Sequence, residues 1–238
     1  MRRAGFFVAL FLAGAASLGP GSMRTWAQEQ EETPADSGNT VDAGIEGHTV
    51  DSVAVRIEDD IITESEVREL GKFQELVDGK EKPRPEILEE LEDQWIIRGD
   101  AATTKVAPPS AADVDKQYAA FEKQFGSPEE FQQKIKAAGL TEEDVRRLLS
   151  NQLYYSRFLD YRFRPAAQVD DEQVAAYYRN DFVPALKAKG QTPPPLEQVQ
   201  ERIHEVLVQQ AITNLAEKWL DETRAQLRIE IPTRGARR

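Results

Sequence analysis

The chain has 238 residues, a formal net charge of −12, two histidines and no cysteine. The lack of cysteine excludes disulfides, thiolate metal centres, thiol nucleophiles and a lipid-modified cysteine anchor. The acidic balance argues against nucleic acid and anionic lipid, both of which are bound by Lys and Arg neutralising phosphates.

The N-terminus reads as an export signal. Arg2 and Arg3 precede an apolar run from Gly5 to Leu18, shorter than the roughly 20 residues of a membrane span, and Thr25-Trp26-Ala27 offers a cleavage site. Residues 1–27 hold three arginines and no acid, so without them the net charge is −15. Residues 28–48 are acidic and poor in large apolar side chains, which predicts a disordered tether. No later stretch is apolar enough to span a membrane, so contact with one is expected to be peripheral at most.

A single folded domain is expected over residues 49–232. Val53 to Ile57 alternates apolar with small or charged residues, the period of a half-buried strand, and Glu58-Asp59-Asp60 turns the chain into a short return strand at Ile61-Ile62. Thr63-Glu64-Ser65-Glu66 is a capping box that opens a helix to about Val77. Pro85 suits the first turn of the next helix, whose apolar positions Ile87, Leu88, Leu91, Trp95 and Ile96 run towards Thr104. Ser110-x-x-Asp113 starts a third helix, with Gly126 as its expected stop. Ser127-Pro128-Glu129-Glu130 starts a short fourth ending at Gly139, and Thr141-Glu142-Glu143-Asp144 a longer fifth that stops before Pro165. Asp170-x-x-Gln173 caps a helix containing Tyr177 and Tyr178.

Lys187 to Pro195 reads as a loop, its three consecutive prolines too stiff and donor-poor for regular structure. The longest helix follows, from about Leu196 to Gln226, with the stripe Leu196, Val199, Ile203, Val206, Leu207, Leu215, Trp219 and Leu220. Leu227 to Pro232 alternates as a last strand, and residues 233–238 form a loose basic tail. Three isolated strands are too few for separate sheets, so the last is expected to return to the first hairpin. The predicted fold class is mainly α, with a small antiparallel sheet joining the N-terminal hairpin to the C-terminal strand.

This ordered set resembles the SurA-type periplasmic chaperones and the related PrsA-type proteins. The resemblance rests on Val50-Asp-Ser-Val-Ala-Val-Arg-Ile-Glu-Asp-Asp-Ile-Ile-Thr-Glu-Ser-Glu-Val67, Pro108–Val114, Gly126–Phe131, Ala138–Arg147, Val169–Tyr178 and Trp219–Ile231. It covers about residues 50–232. It implies an ATP-independent chaperone holding unfolded or nascent exported polypeptides in the periplasm, without nucleotide or other cofactor. The alternative it leaves is a peptidyl-prolyl isomerase. In the family, parvulin isomerase domains stand between the Tyr-Tyr helix and the C-terminal helix. Here that interval, Asn180 to Pro195, has room for no such domain.

Catalytic patterns are weak. His204 stands near Glu197, Glu201 and Glu205, but the helical HExxH metal pattern is not present, and His48 falls in the tether. No Ser has a G-x-S-x-G setting. The richer signal is aromatic. Phe121, Phe125, Phe131, Tyr154, Tyr155 and Phe158 crowd neighbouring helical segments, with Tyr161 and Phe163 beyond. Leu153-Tyr154-Tyr155 puts apolar side chains on more than one helix face, which implies either a deep core position or a face offered to a partner. The six are the candidate peptide-binding residues, a role the resemblance supports.

Overall fold

The computed structural model describes residues 51–232. The expected signal sequence, the tether and the tail at 233–238 lie outside the described residues. The described chain is mainly helical, with a three-stranded antiparallel sheet in the order β2-β1-β3.

β1 (Val53–Ile57) and β2 (Asp60–Thr63) form the hairpin, Ile57 opposite Asp60 across the turn. The pairing is irregular between Val53 and Val55, and this bulge puts Ala54 and Val55 both in the core. Strict alternation, the sequence expectation, therefore fails in β1, because an extra residue on one strand shifts which side chains face inward.

Thr63 caps α1 (Glu64–Asp78) with a complete capping box, and Gly79 ends it in the left-handed conformation at φ 70°. α2 (Arg84–Ala101) packs on α1. It stops short of Thr104 because the hydroxyls of Thr103 and Thr104 bond the carbonyls of Asp100 and Ala101, turning the chain. α3 (Ala111–Glu122) and α4 (Pro128–Ala137) form a short pair over α5 (Glu142–Phe163). Gly126 is not the stop of α3. The helix ends earlier, through tight bonds from Gln124 N–H to Phe121 O and Phe125 N–H to Glu122 O, and this turn folds Phe125 back onto Phe121. Gly139 does close α4: its φ is +68°, and the next N–H, of Leu140, reaches back to Ile135 O, the six-residue closure of a Schellman turn.

α6 (Asp171–Tyr177) runs into one π-helical turn at Tyr178–Phe182 and then α7 (Val183–Ala188). Here the loop expected from Lys187 begins late. Gly190, at φ +70°, terminates α7, with Gln191 N–H bonded to Leu186 O. α8 (Leu196–Arg224) spans 29 residues. Its buried line is Val199, Ile203, Val208, Ile212, Ala216 and Leu220, while Val206, Leu207, Leu215 and Trp219 are half-buried. The expected stripe chose the bulkier residues, but a small side chain such as Ala216 lets a neighbouring helix approach most closely.

β3 covers only Ile229–Glu230, antiparallel to β1, with Arg56 opposite Glu230 and Ile57 opposite Ile229. It is shorter than the alternating Leu227–Pro232 pattern because Leu227 is still tied to the helix end, its N–H bonded to Arg224 O. The return of the last strand to the first hairpin is nevertheless as expected. Glu58 N–H donates to Arg228 O at 3.0 Å, and Arg228 N–H to the Glu58 carboxylate at 2.6 Å.

The core divides into adjoining groups. One under the sheet holds Val55, Ile57, Ile62, Leu70 and Ile87, and Trp95 and Leu227 connect it to a central group with Ile97, Phe158, Val208 and Ile212. An aromatic group surrounds Phe73, Phe121 and Phe131. A small one, Val174, Val199 and Ile203, holds α6 on the start of α8.

Candidate functional site

The six candidate residues fall into two separate places. Phe121 and Phe131 are 1% and 0% exposed, and Phe125 packs on both from a half-buried position. The ring of Phe121 meets Phe125 at 5.3 Å and 89° and Phe131 at 5.5 Å and 88°, the edge-to-face arrangement that aromatic quadrupoles favour. Lys134 Nζ stands 5.3 Å from the Phe125 centroid, and the Arg146 guanidinium 4.2 Å from that of Tyr118.

Tyr154, Tyr155 and Phe158 lie further along α5, in the central group. Tyr155 and Phe158 are buried, and burial raises the Tyr155 hydroxyl above its ordinary range. Tyr154 is half-buried. Four of the six therefore fill the core, where they offer no surface to a partner in this conformation. Only Phe125 and Tyr154 reach solvent.

The central group continues to the surface through Phe163 and Trp219, with Phe158 6.1 Å from the Trp219 ring. Phe163 and Trp219 lie 5.8 Å apart, each half-buried, and the Arg162 guanidinium covers Trp219 at 4.7 Å and Phe163 at 5.4 Å. Tyr161, two residues before Phe163 on α5, is 59% exposed. The sequence stripe puts Trp219 in the core of α8, whereas the side chain is half-buried. The signal that it sits at a boundary is Arg162, next to Phe163 in sequence and able to cover an indole as cation–π partner. A second arginine holds polar contacts: Arg224 gathers Glu89, Glu92, Asp93 and Asp221 where α8 meets α2.

The chemistry available at these places is apolar contact, rimmed by Lys134, Arg146 and Arg162, each paired with a carboxylate. Glu205, beside His204, is engaged by Arg164 at 2.7 Å, and its carboxyl is held down to about 2 by that guanidinium and by Gln209. No cluster of three or more His, Asp or Glu fit to hold a metal stands among the described residues. None of their helices is long and apolar enough to cross a membrane. Comparison with protein-family models gives no match, and none of the curated proteins matches the chain.

Proposed function

We propose that this protein is an ATP-independent chaperone of the cell envelope that holds unfolded exported polypeptides. The observation that carries the reading is the pairing of β1 with β3, which closes one helical body across the whole span of SurA-like segments. Partly exposed aromatic side chains support it. Phe125, Tyr154, Tyr161, Phe163 and Trp219 offer non-directional apolar contact suited to clients of varied sequence. The acidic surface opposes self-association of the protein while it carries a sticky client.

The test is dilution of a urea-unfolded outer-membrane β-barrel protein into buffer with and without this protein, followed by light scattering. Near-stoichiometric amounts are expected to suppress aggregation without nucleotide, and Tyr161→Ala with Trp219→Ala to weaken the suppression several-fold. Unchanged scattering at several-fold excess would overturn the reading. A protease-coupled assay on a proline peptide is expected to show only the background rate of isomerisation; a rate well above it would make the protein an isomerase instead.

A further inference from the structure

Among the described residues the three strands pair only with one another, in the order β2-β1-β3, so β2 and β3 each present an outer edge. An unpaired edge is a template for a further strand. The edge of β2 runs straight into the cap of α1, where the N–H and hydroxyl of Thr63 both bond the Glu66 carboxylate. The edge of β3 has no such cover among the described residues. Glu58 N–H bonds Arg228 O, which turns the backbone of Arg228 and, by alternation, of Glu230 towards β1. The N–H and C=O of Ile229 therefore point outward. Ile231 continues this edge and is 56% exposed, although Leu227 and Ile229 before it pack on the core under the sheet.

The run Leu227-Arg228-Ile229-Glu230-Ile231 is symmetric in polarity about Ile229 and opposite in charge on its two sides. Two copies meeting antiparallel about Ile229 set Arg228 of each opposite Glu230 of the other. That happens on the exposed face of the sheet, where Arg56 already stands opposite Glu230, so charges alternate in sign across the join. Opposite charges in facing positions stabilise a strand pair and like charges weaken it. The two neighbouring registers that keep Ile229 in a hydrogen-bonded pair set Arg228 against Arg228 or Glu230 against Glu230. Charge thus selects one register, and that register also brings the exposed Ile231 of each copy towards Leu227 of the other.

We infer that the β3 edge is where a second copy of this chain docks, paired about Ile229 to make one continuous sheet, β2-β1-β3-β3-β1-β2. Ile229 exchanges two backbone hydrogen bonds with its counterpart, and two Arg228–Glu230 pairs flank them. The contact is narrow, so the association is reversible. The acidity of the chain works against it at long range, and salt screens that repulsion more than it screens charges in direct contact.

The experiment uses the full chain, which has no native cysteine, in two variants, Arg228→Cys and Glu230→Cys. In the inferred register these positions face each other in a non-hydrogen-bonded pair, about 4.5 Å between Cα atoms and within disulfide reach. Mixed and oxidised, the two variants are expected to cross-link several-fold faster than either does alone, because like positions lie two residues out of register. Sedimentation velocity of the wild type in moderate salt is expected to show a reversible monomer–dimer equilibrium. Ile231→Lys is expected to remove it and to leave thermal unfolding unchanged, since that side chain is exposed. Cross-linking no faster in the mixture, or a sedimentation coefficient constant up to the solubility limit, would overturn the inference. So would a protein that stays monomeric and protects its Ile229 amide from exchange only when an unfolded polypeptide is added, which would give the edge to an extended client.

Discussion

Phe121 shows how far one residue can be read in advance. Its apolar character was plain in the sequence, but its depth depends on Phe73 and Phe131 arriving from other helices, so exposure could not be read from spacing alone. Tyr154 and Tyr155 make the same point from adjacent positions. Both belonged to a doubled apolar face, and tertiary packing on α2 and α8 decided that Tyr155 goes inside while Tyr154 stays at the rim. Because Phe121 is buried against the rings of Phe73, Phe125 and Phe131, Phe121→Ala is expected to lower stability by about 3–5 kcal/mol in urea unfolding. Glu58 is the opposite case, a residue held in the left-handed region at φ 51° by its contacts to Arg228. Its role as a brace for β3 needed the far end of the chain to be known.

At the scale of the element, the signals that succeeded are local ones. Thr63, Ser110, Thr141 and Asp170 each cap their helix through a residue three positions on, a relation complete within four residues. Where the stop depended on backbone conformation, success varied. Gly139 closes its helix as its position suggests, Gly190 ends α7 in a stretch where the three prolines that follow are the stronger sequence signal, and Gly126 gives way to the turn that seats Phe125. The caps predict an acid response. Ser110 first, by side chain and backbone, and then Arg157 at 3.0 Å hold the Asp113 carboxyl down to about 2. A depressed carboxyl contributes above its ordinary value near 3.8 and stops contributing as pH falls towards 2. The Ser110 amide, which bonds Asp113, is therefore expected to shift in NMR spectra with a midpoint near 2. In Ser110→Ala that midpoint is expected to move upward, and removal of the hydroxyl cap to lower stability by about 1 kcal/mol.

At the scale of the molecule, the sequence made the closure legible by elimination, since a lone terminal strand needs a partner and the hairpin was available. The split of the core into adjoining groups was not legible, because it depends on which faces of α5 and α8 meet. Closure carries its own prediction. Removing residues 228–238 deletes β3 and uncovers the β1 edge at Arg56 and Ile57, and with it the bonds between Glu58 and Arg228. Thermal unfolding is expected to shift downward by several degrees, as a loss of about 1–2 kcal/mol produces in a domain of this size. An unchanged melting temperature would show that the pairing of β3 with β1 adds nothing to stability.

The closed sheet also fixes a mounting point. β1 and β3 run antiparallel beside each other, so whatever is joined before Asp51 and whatever follows Pro232 leave the body at the same pole. α8 extends from that pole for 29 residues, about 43 Å of rod, and at its far end it carries α6. Anything that fastened the protein by either end of its chain would thus hold the small α6–α8 tip outward at arm's length, with the length of the body standing between it and the attachment.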